Sequence, residues 1–270
     1  MSDSRPVFFV SDHTGITAEL IGKSLLSQFP GQAFTFVSLP FIDSQEKAEI
    51  AVRRIEAERA RSHLRPLVIS TLAEPELRHL IAQTDSLFLD IFPCFLQALE
   101  TELGCPATPA LGLAHGMSDA GQYRARMDAV NYALAADDGL ATERYGQADL
   151  ILVGVSRSGK TPTSLYMAMQ YGLRVANYPL TPEDLERTEL PECLRTYRSK
   201  LRGLSLSAER LAQIRAERRP DSRYASLPNC QAELQAAERM LRAAQIPIIE
   251  TTQRSVEEIA ALLKQSLATA

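Results

Sequence analysis

The sequence predicts an α/β fold with two domains: an N-terminal parallel-sheet βαβ domain over residues 1–140, and a phosphate-loop (P-loop) kinase-like α/β domain over residues 141–270. Three observations predict it. Residues 6–103 alternate between short apolar runs and amphipathic segments, which is typical of a parallel βαβ series. Residues 149–171 run from an apolar segment through a glycine loop into a helix-forming segment. Residues 230–267 return to the order helix, strand, helix.

Four strands are predicted in the first domain, at residues 7–10, 34–39, 66–70 and 86–91. The segments between them are long enough to be crossover helices. Asp43 and Glu46 have the spacing of a capping box before one of these helices, and Pro75 stands where a first-turn proline is tolerated.

A polar segment, Ser11-Asp12-His13-Thr14, follows the first predicted strand and leads into Gly15. Hydroxyl side chains and a glycine at the carboxyl end of a parallel strand are well placed to hold an anion or a substrate. An ordinary helix cap with a tight turn explains the same residues, so both interpretations stay open. Asp90, at the end of the fourth strand, is predicted to be a buried, capped aspartate.

Residues 104–120 are rich in proline and glycine and predict a connecting loop. The helix predicted after it, at residues 119–136, carries one apolar stripe formed by Tyr123, Met127, Val130 and Leu134.

Two carboxylates, Asp137 and Asp138, end this helix and precede Gly139. The helix macrodipole favours cations at a C-terminus by about 0.3–1 kcal/mol per charge, so an acidic pair stands against that preference. A bound metal or a basic partner would explain the pair, and so would a solvated turn closed by Gly139.

The most informative segment is Gly154-x-x-x-x-Gly159-Lys160-Thr161, which follows a predicted strand and precedes a helix. This is the P-loop pattern in its required context, and it predicts nucleotide phosphate binding. Lys160 is expected to reach the terminal phosphates and Thr161 a magnesium ion. The candidate nucleotide-binding residues are Gly154, Val155, Ser156, Arg157, Ser158, Gly159, Lys160 and Thr161. No apolar strand ending in aspartate follows Lys160, so the sequence assigns no second magnesium ligand.

A basic segment follows the P-loop. Residues 195–223 contain nine Lys and Arg residues against three acidic residues. Charge runs are usually solvated faces. Arginines that close over transferring phosphates are also a recurrent part of phosphoryl-transfer sites. Both interpretations of this segment, which includes Arg210, Arg215, Arg218 and Arg219, stay open.

Composition limits the classes of function. The 270 residues are 45% hydrophobic and 23% charged, with a net charge of −4, which argues against a nucleic-acid binder. No apolar run has the length of a membrane helix and the N-terminus lacks secretion-signal features, so we expect a cytoplasmic protein without a membrane partner. The four cysteines form no paired motif and are expected to be reduced core residues.

Several stretches together resemble one family, the regulatory proteins of pyruvate-handling dikinases. They are VSDHTGITAE, DIFPCFLQALE, DAGQYRARMDAVNYALAADDG, GVSRSGKTPTSLYMAMQYGLRVANYPL, KLRGLSLSAERLAQIR and IPIIETTQRSVEEIA. The resemblance covers nearly the whole chain in order. Family members that act on phosphoenolpyruvate synthase tend to carry SR-x-GKTPTSLY at the loop, which Gly159 and Thr163 match here.

The resemblance implies a bifunctional enzyme with one protein partner, phosphoenolpyruvate synthase (pyruvate, water dikinase). One activity transfers phosphate from ADP to a threonine of the partner and inactivates it. The other uses inorganic phosphate to remove that phosphate as pyrophosphate. The resemblance also implies that Lys160 stabilises the transferred phosphoryl group, that Arg157 is a second cationic contact, and that Asp137 and Asp138 position magnesium or the incoming hydroxyl.

Two other functions agree with the P-loop alone: an ATP-dependent small-molecule kinase and a nucleotide-sensing regulator without catalysis. Labelled threonine formed from ADP would favour the protein kinase over the small-molecule kinase. Transfer of phosphate to any protein would exclude the sensing regulator. The sequence leaves the general bases, a homo-oligomeric state and the sharing of one site by both activities open.

Overall fold

The computed structural model describes residues 4–107 and 120–268. By internal contacts the chain divides into two compact units, Met1–Ser118 and Asp119–Ala270. The sequence predicts the division later, at residue 140. The helix before residue 137 belongs to the second unit because it packs on the helix that follows the P-loop.

The first unit is a four-stranded parallel sheet with helices between its strands, as predicted. The sheet order is β2-β1-β3-β4, with β1 paired to both β2 and β3. Its elements are β1 (Arg5–Val10), α1 (Ile16–Leu26), β2 (Phe34–Leu39), α2 (Gln45–Ser62), β3 (Leu67–Ser70), α3 (Pro75–Ala82), β4 (Leu87–Asp90) and α4 (Ile91–Leu103).

The start of α2 differs from the prediction by one residue. Ser44 is the N-cap, with an extended backbone, and its side chain accepts a hydrogen bond from the Lys47 backbone N–H. Asp43 instead forms an ion pair with the Lys47 ammonium at 2.6 Å. The capping box predicted from Asp43 and Glu46 is therefore wrong, whereas Pro75 begins α3 as predicted.

The second unit is a second parallel sheet, in the order β6-β5-β7-β8. Its core joins the buried faces of β5 and β7 to α10 on one side and to α6 and α11 on the other. Its elements are α5 (Ala120–Ala135), β5 (Leu150–Gly154), α6 (Lys160–Tyr171), β6 (Val175–Pro179), α7 (Pro182–Leu185), α8 (Glu192–Arg195), β7 (Leu201–Ser205), α9 (Ala208–Arg218), α10 (Leu227–Ala243), β8 (Ile248–Glu250) and α11 (Val256–Ala268).

Strand β7 lies within residues 195–223, a segment that stands out in the sequence only by its basic charge, so no strand is predicted there. Arg202 and Gly203 interrupt its apolar pattern, yet all five of its residues are buried. The Arg202 guanidinium donates to the carbonyls of Ser199 and Leu201, which satisfies it inside the fold. A Cβ at Gly203 would lie 2.7 Å from a methyl group of Leu241, so the glycine lets this side chain pack directly on the strand.

Helix α5 buries a different face from the predicted one. Ala129 and Ala133 pack against Ala168 of α6, and these small side chains let the two helices approach closely. Three of the four members of the predicted stripe are exposed instead: Tyr123, Met127 and Leu134. The predicted stripe is wrong because it consists mainly of large apolar residues, whereas small alanines form the contact between α5 and α6. Most of the loop predicted at residues 104–120 lies outside the described residues.

Three of the four cysteines also depart from the prediction of core residues. Cys230 is buried, whereas Cys193 is half-buried and Cys94 and Cys105 are exposed. Within residues 4–107 and 120–268, none of the helices has the length and apolar character needed to cross a membrane.

Candidate phosphate-loop site

The two glycines of the P-loop are each required by a different constraint. A Cβ on Gly154 would lie 2.5 Å from the backbone oxygen of Leu204 on β7, so only glycine fits where β5 meets its neighbour. Gly159 has φ +91°, a left-handed conformation that glycine adopts without strain. Together they let the chain turn sharply from β5 into α6.

The loop between them presents N–H groups in the manner of an anion-binding turn. Arg157 also has a left-handed conformation, with φ +74°. Alternation between left- and right-handed residues turns successive N–H groups toward one side of the backbone. The Gly159 N-cap of α6 has no side-chain hydrogen bond, and N–H groups in a first helical turn have no intrahelical acceptor. The loop and helix therefore offer several donors to a phosphate.

Lys160 is the first residue of α6, and its side chain is buried. Its Nζ donates a 2.8 Å hydrogen bond to the carbonyl of Val155, so the ammonium folds back across the loop. Burial lowers the pKa of Lys160 to about 8, and the charges of Asp138 and Asp137 oppose this shift. The lysine is thus a cation close to two carboxylates, at a position where charge is costly unless it is paired.

Asp137 is bonded directly to the P-loop helix. Its Oδ1 accepts a 2.9 Å hydrogen bond from the Thr161 hydroxyl. The same oxygen accepts a hydrogen bond from the amide of Asn177, which is completely buried on β6. The Asn177 oxygen in turn accepts the backbone N–H of Asp138 at 3.0 Å. One asparagine therefore fixes both members of the acidic pair.

The turn that carries the pair is attached to β6. Asp138 and Gly139 have left-handed conformations, and a Cβ on Gly139 would lie 3.3 Å from the ring of Tyr178. The backbone N–H of Asn177 donates to Ala136, just before the turn. Asp137 is half-buried and Asp138 is exposed. A solvated turn therefore does not describe Asp137.

Two buried hydroxyl groups add to the polar groups of the site. The hydroxyls of Ser158 and Thr163 are buried and have no hydrogen-bond partner within the described part of the chain. Buried polar groups are almost always paired, and a phosphate oxygen is a natural acceptor for the Ser158 hydroxyl in the loop. With the buried Lys160 and the uncapped start of α6, this donor set fits a diphosphate.

Oxygen ligands for magnesium also converge here. Thr161 offers a hydroxyl and Asp137 a carboxylate, which matches the one or two protein ligands that Mg²⁺ takes beside nucleotide phosphates and water. The described residues contain no group of three or more His, Cys, Asp or Glu side chains arranged to hold a metal ion.

The other residues predicted for the site lie on the loop, on α9 or in the first unit. Val155 is buried and accepts the Lys160 hydrogen bond, while the Arg157 side chain is exposed at the tip of the loop. On α9, Arg210 and Arg218 face solvent, whereas Arg215 is buried against the loop residue Ser156. His13 is exposed and belongs to the first unit.

Comparison with known sequences gives the wider context of this site. The sequence model of the kinase/pyrophosphorylase family matches residues 7–263. The chain belongs to this family. The match extends through both units and includes the P-loop, Asp137 and Asn177.

Curated relatives of the family are similar over nearly their whole length. A protein of Aromatoleum aromaticum is 50% identical over 270 residues, covering 99% of this chain and 98% of its own. One of an Azoarcus species is 51% identical over 264 residues (97% and 95%). One of Xanthomonas oryzae pv. oryzae is 50% identical over 267 residues (99% and 97%). Each has the provisional designation of a phosphoenolpyruvate synthase regulatory protein.

Proposed function

We propose that the chain is a bifunctional regulator of phosphoenolpyruvate synthase. It transfers the β-phosphoryl group of ADP to a threonine hydroxyl of the synthase, leaving AMP, and it removes that phosphate with inorganic phosphate, releasing pyrophosphate and the free hydroxyl. The observation that carries the proposal is the junction of the Thr161 hydroxyl, the Asp137 carboxylate and the buried Lys160 at one P-loop. The family description and the designations of the relatives support both the reaction class and the partner.

In the kinase direction, the loop N–H groups and Lys160 hold the diphosphate of ADP. Phosphoryl transfer depends mostly on positioning and on stabilising charge at the equatorial oxygens, which an ammonium surrounded by donors provides. Thr161 and Asp137 would hold a magnesium ion, which would further neutralise the charge of the phosphates. The exposed Asp138 carboxylate lies near Lys160, and we assign it to the incoming threonine hydroxyl.

In the phosphorylase direction, the same donors serve a different pair of reactants. Inorganic phosphate takes the place of the attacking group and the phosphothreonine that of the phosphoryl donor. The transferred group occupies the same position between them, so one donor set stabilises both transition states. Arg157, exposed on the loop, is assigned a contact with the incoming phosphate.

The experiment is to incubate purified phosphoenolpyruvate synthase with the protein and β-labelled ADP or γ-labelled ATP. The proposal expects labelled threonine from ADP and not from ATP. Lys160→Ala abolishes the transfer, whereas Lys47→Ala, at an exposed lysine of the first unit, leaves it unchanged. Adding phosphate to the labelled synthase then releases labelled pyrophosphate.

Transfer from ATP to a small molecule alone would contradict the proposal in favour of a metabolite kinase. Nucleotide binding without transfer to any acceptor would favour a sensing regulator.

A further inference from the structure

Arg215 of α9 is completely buried beside the P-loop. Its guanidinium donates to the carbonyl of Ser156 at 3.1 Å and to that of Tyr224 at 3.1 Å, and it pairs with Glu233 at 2.7 Å. It also stacks over the Tyr224 ring, 4.0 Å from the ring centroid. A buried charge is costly to remove from water unless it is paired, so these contacts explain how the fold accommodates it.

Ser156 is held at a second point by the same assembly. Its hydroxyl lies 2.9 Å from the Tyr224 hydroxyl, so both its side chain and its carbonyl are bonded to α9 and the turn after it. The other arginines of α9 do not take part: Arg218 is exposed, and Arg210 donates to Gln213. The contacts of Arg215 and Tyr224 with Ser156, here called the clamp, therefore do not involve the other arginines of α9.

The clamp determines the direction of one loop N–H. In a trans peptide the C=O and N–H groups point in opposite directions. Because Arg215 holds the Ser156 carbonyl, the Arg157 N–H points away from the guanidinium. Lys160 acts in the same way on the preceding peptide, since it binds the Val155 carbonyl and so orients the Ser156 N–H.

The Arg215 charge also acts on the site from a distance. Burial is the main reason that the pKa of Lys160 is lowered, and the positive charge of Arg215 adds to that effect. The guanidinium is therefore near enough to raise the electrostatic potential at the loop, while its two terminal nitrogens donate to protein groups. A fixed cation placed behind a phosphate site stabilises an anion without exchanging a ligand with it.

From this geometry we infer that Arg215 and Tyr224 are positioning residues for the diphosphate. They hold the Ser156–Arg157 peptide in the orientation that donates to phosphate, and they act through the loop without touching the nucleotide. The inference rests on the proposed function, because it assigns the clamp to the same ADP site.

The test compares ADP affinity, kcat and KM of the full-length protein with those of Arg215→Met, Arg215→Lys and Tyr224→Phe. Arg215→Met is expected to weaken ADP binding by more than about tenfold, since a hydrogen bond from a charged group contributes about 1.5–3 kcal/mol. Arg215→Lys keeps the positive charge but lacks the planar guanidinium with its several N–H donors. This variant is expected to recover part of the lost ADP affinity. Tyr224→Phe removes one neutral hydrogen bond and weakens binding about threefold.

The control is Arg218→Met, which removes an exposed arginine from the same helix and leaves ADP affinity unchanged. Far-UV circular dichroism establishes which variants are folded. If Arg215→Met does not fold, Tyr224→Phe and Arg215→Lys decide the question. A purely structural role would lower the melting temperature while the folded fraction binds ADP as the wild type does, and that result overturns the inference.

The two proposals fail in different ways. If the wild type binds ADP, Lys160→Ala does not, and every folded clamp variant binds like the wild type, only the positioning role is overturned. If the wild type itself binds no ADP, the proposed function and the positioning role are both overturned.

Discussion

The Thr161 hydroxyl donates a 2.9 Å hydrogen bond to Oδ1 of Asp137, which joins the acidic turn to the P-loop helix. Asn177 donates to the same oxygen, so the carboxylate is held from two sides. We propose that this carboxylate is the second magnesium ligand that the sequence leaves unassigned.

Asp137→Asn keeps the size of the side chain but removes its charge. We expect the magnesium-dependent kcat/KM of phosphoryl transfer to fall by about 100-fold, as loss of one electrostatic contact in a transition state typically costs about 2.7–4 kcal/mol. ADP affinity without magnesium should change little. Steady-state kinetics with a magnesium titration measure both, and Asp43→Asn on the first unit is the control. Unchanged kinetics in Asp137→Asn would contradict the assignment.

Asn177→Ala tests the support of the acidic pair. The substitution leaves the Asp138 N–H without its partner and removes one of the two hydrogen bonds to Asp137 Oδ1. An unmet hydrogen bond in a buried location costs about 1–3 kcal/mol. We expect a lower melting temperature together with weaker magnesium activation. Asn177→Asp should be worse in activity, since it places a second carboxylate against Asp137. An Asn177→Ala variant with wild-type magnesium dependence would show that the asparagine only stabilises the fold.

The pH dependence of ADP binding should report Lys160. Burial lowers its pKa to about 8 in the protein without nucleotide, so the lysine begins to lose its proton near that pH. ADP requires the charged form, and its affinity should therefore fall above pH 8 by up to about tenfold per pH unit. Isothermal titration calorimetry between about pH 7 and 10 measures the effect.

Lys160→Arg is the control, because an arginine stays charged throughout this range. Its affinity should show no break near pH 8. The same linkage affects stability: the unfolded chain holds this proton up to the ordinary value of 10.5, so the lysine's contribution to the free energy of unfolding rises from about pH 8 to 10.5. An ADP affinity with the same pH profile in wild type and Lys160→Arg would contradict the assignment to Lys160.

Gly154→Ala tests the close approach of β5 to β7. The added methyl group would lie 2.5 Å from the backbone oxygen of Leu204, which cannot move aside as the end of a flexible side chain can. We expect a loss of about 1–3 kcal/mol in the free energy of unfolding, the usual cost of overpacking. Urea unfolding measures it. Gly31→Ala, where a Cβ meets nothing within 4 Å, is the matched control and should change stability little.

The strand, glycine turn and helix around residues 154–161 are predictable because all their determinants are local. Gly154, Gly159, Lys160 and Thr161 lie within eight consecutive positions, and the strand and helix on either side are readable from their own residues. The parallel sheet of the first unit was predictable for the same reason, since its apolar runs are short and well separated.

The rest of the site depends on which strands become neighbours. Asn177 lies 40 residues after Asp137, and the two meet because the turn at residues 137–139 packs on β6. Strand β7 was hidden because Arg202 and Gly203 break its apolar pattern, although the fold satisfies both. Arg215 was visible only as one member of a basic run, and its burial against Ser156 follows from the position of α9 beside the loop.

The most direct test of the account is a crystal structure of the protein with ADP and magnesium. The account predicts the β-phosphate within hydrogen-bonding distance of Lys160 and the loop N–H groups, with the metal bound to the Thr161 hydroxyl and the Asp137 carboxylate. ADP bound at another position, or a metal bound away from both oxygens, would contradict it.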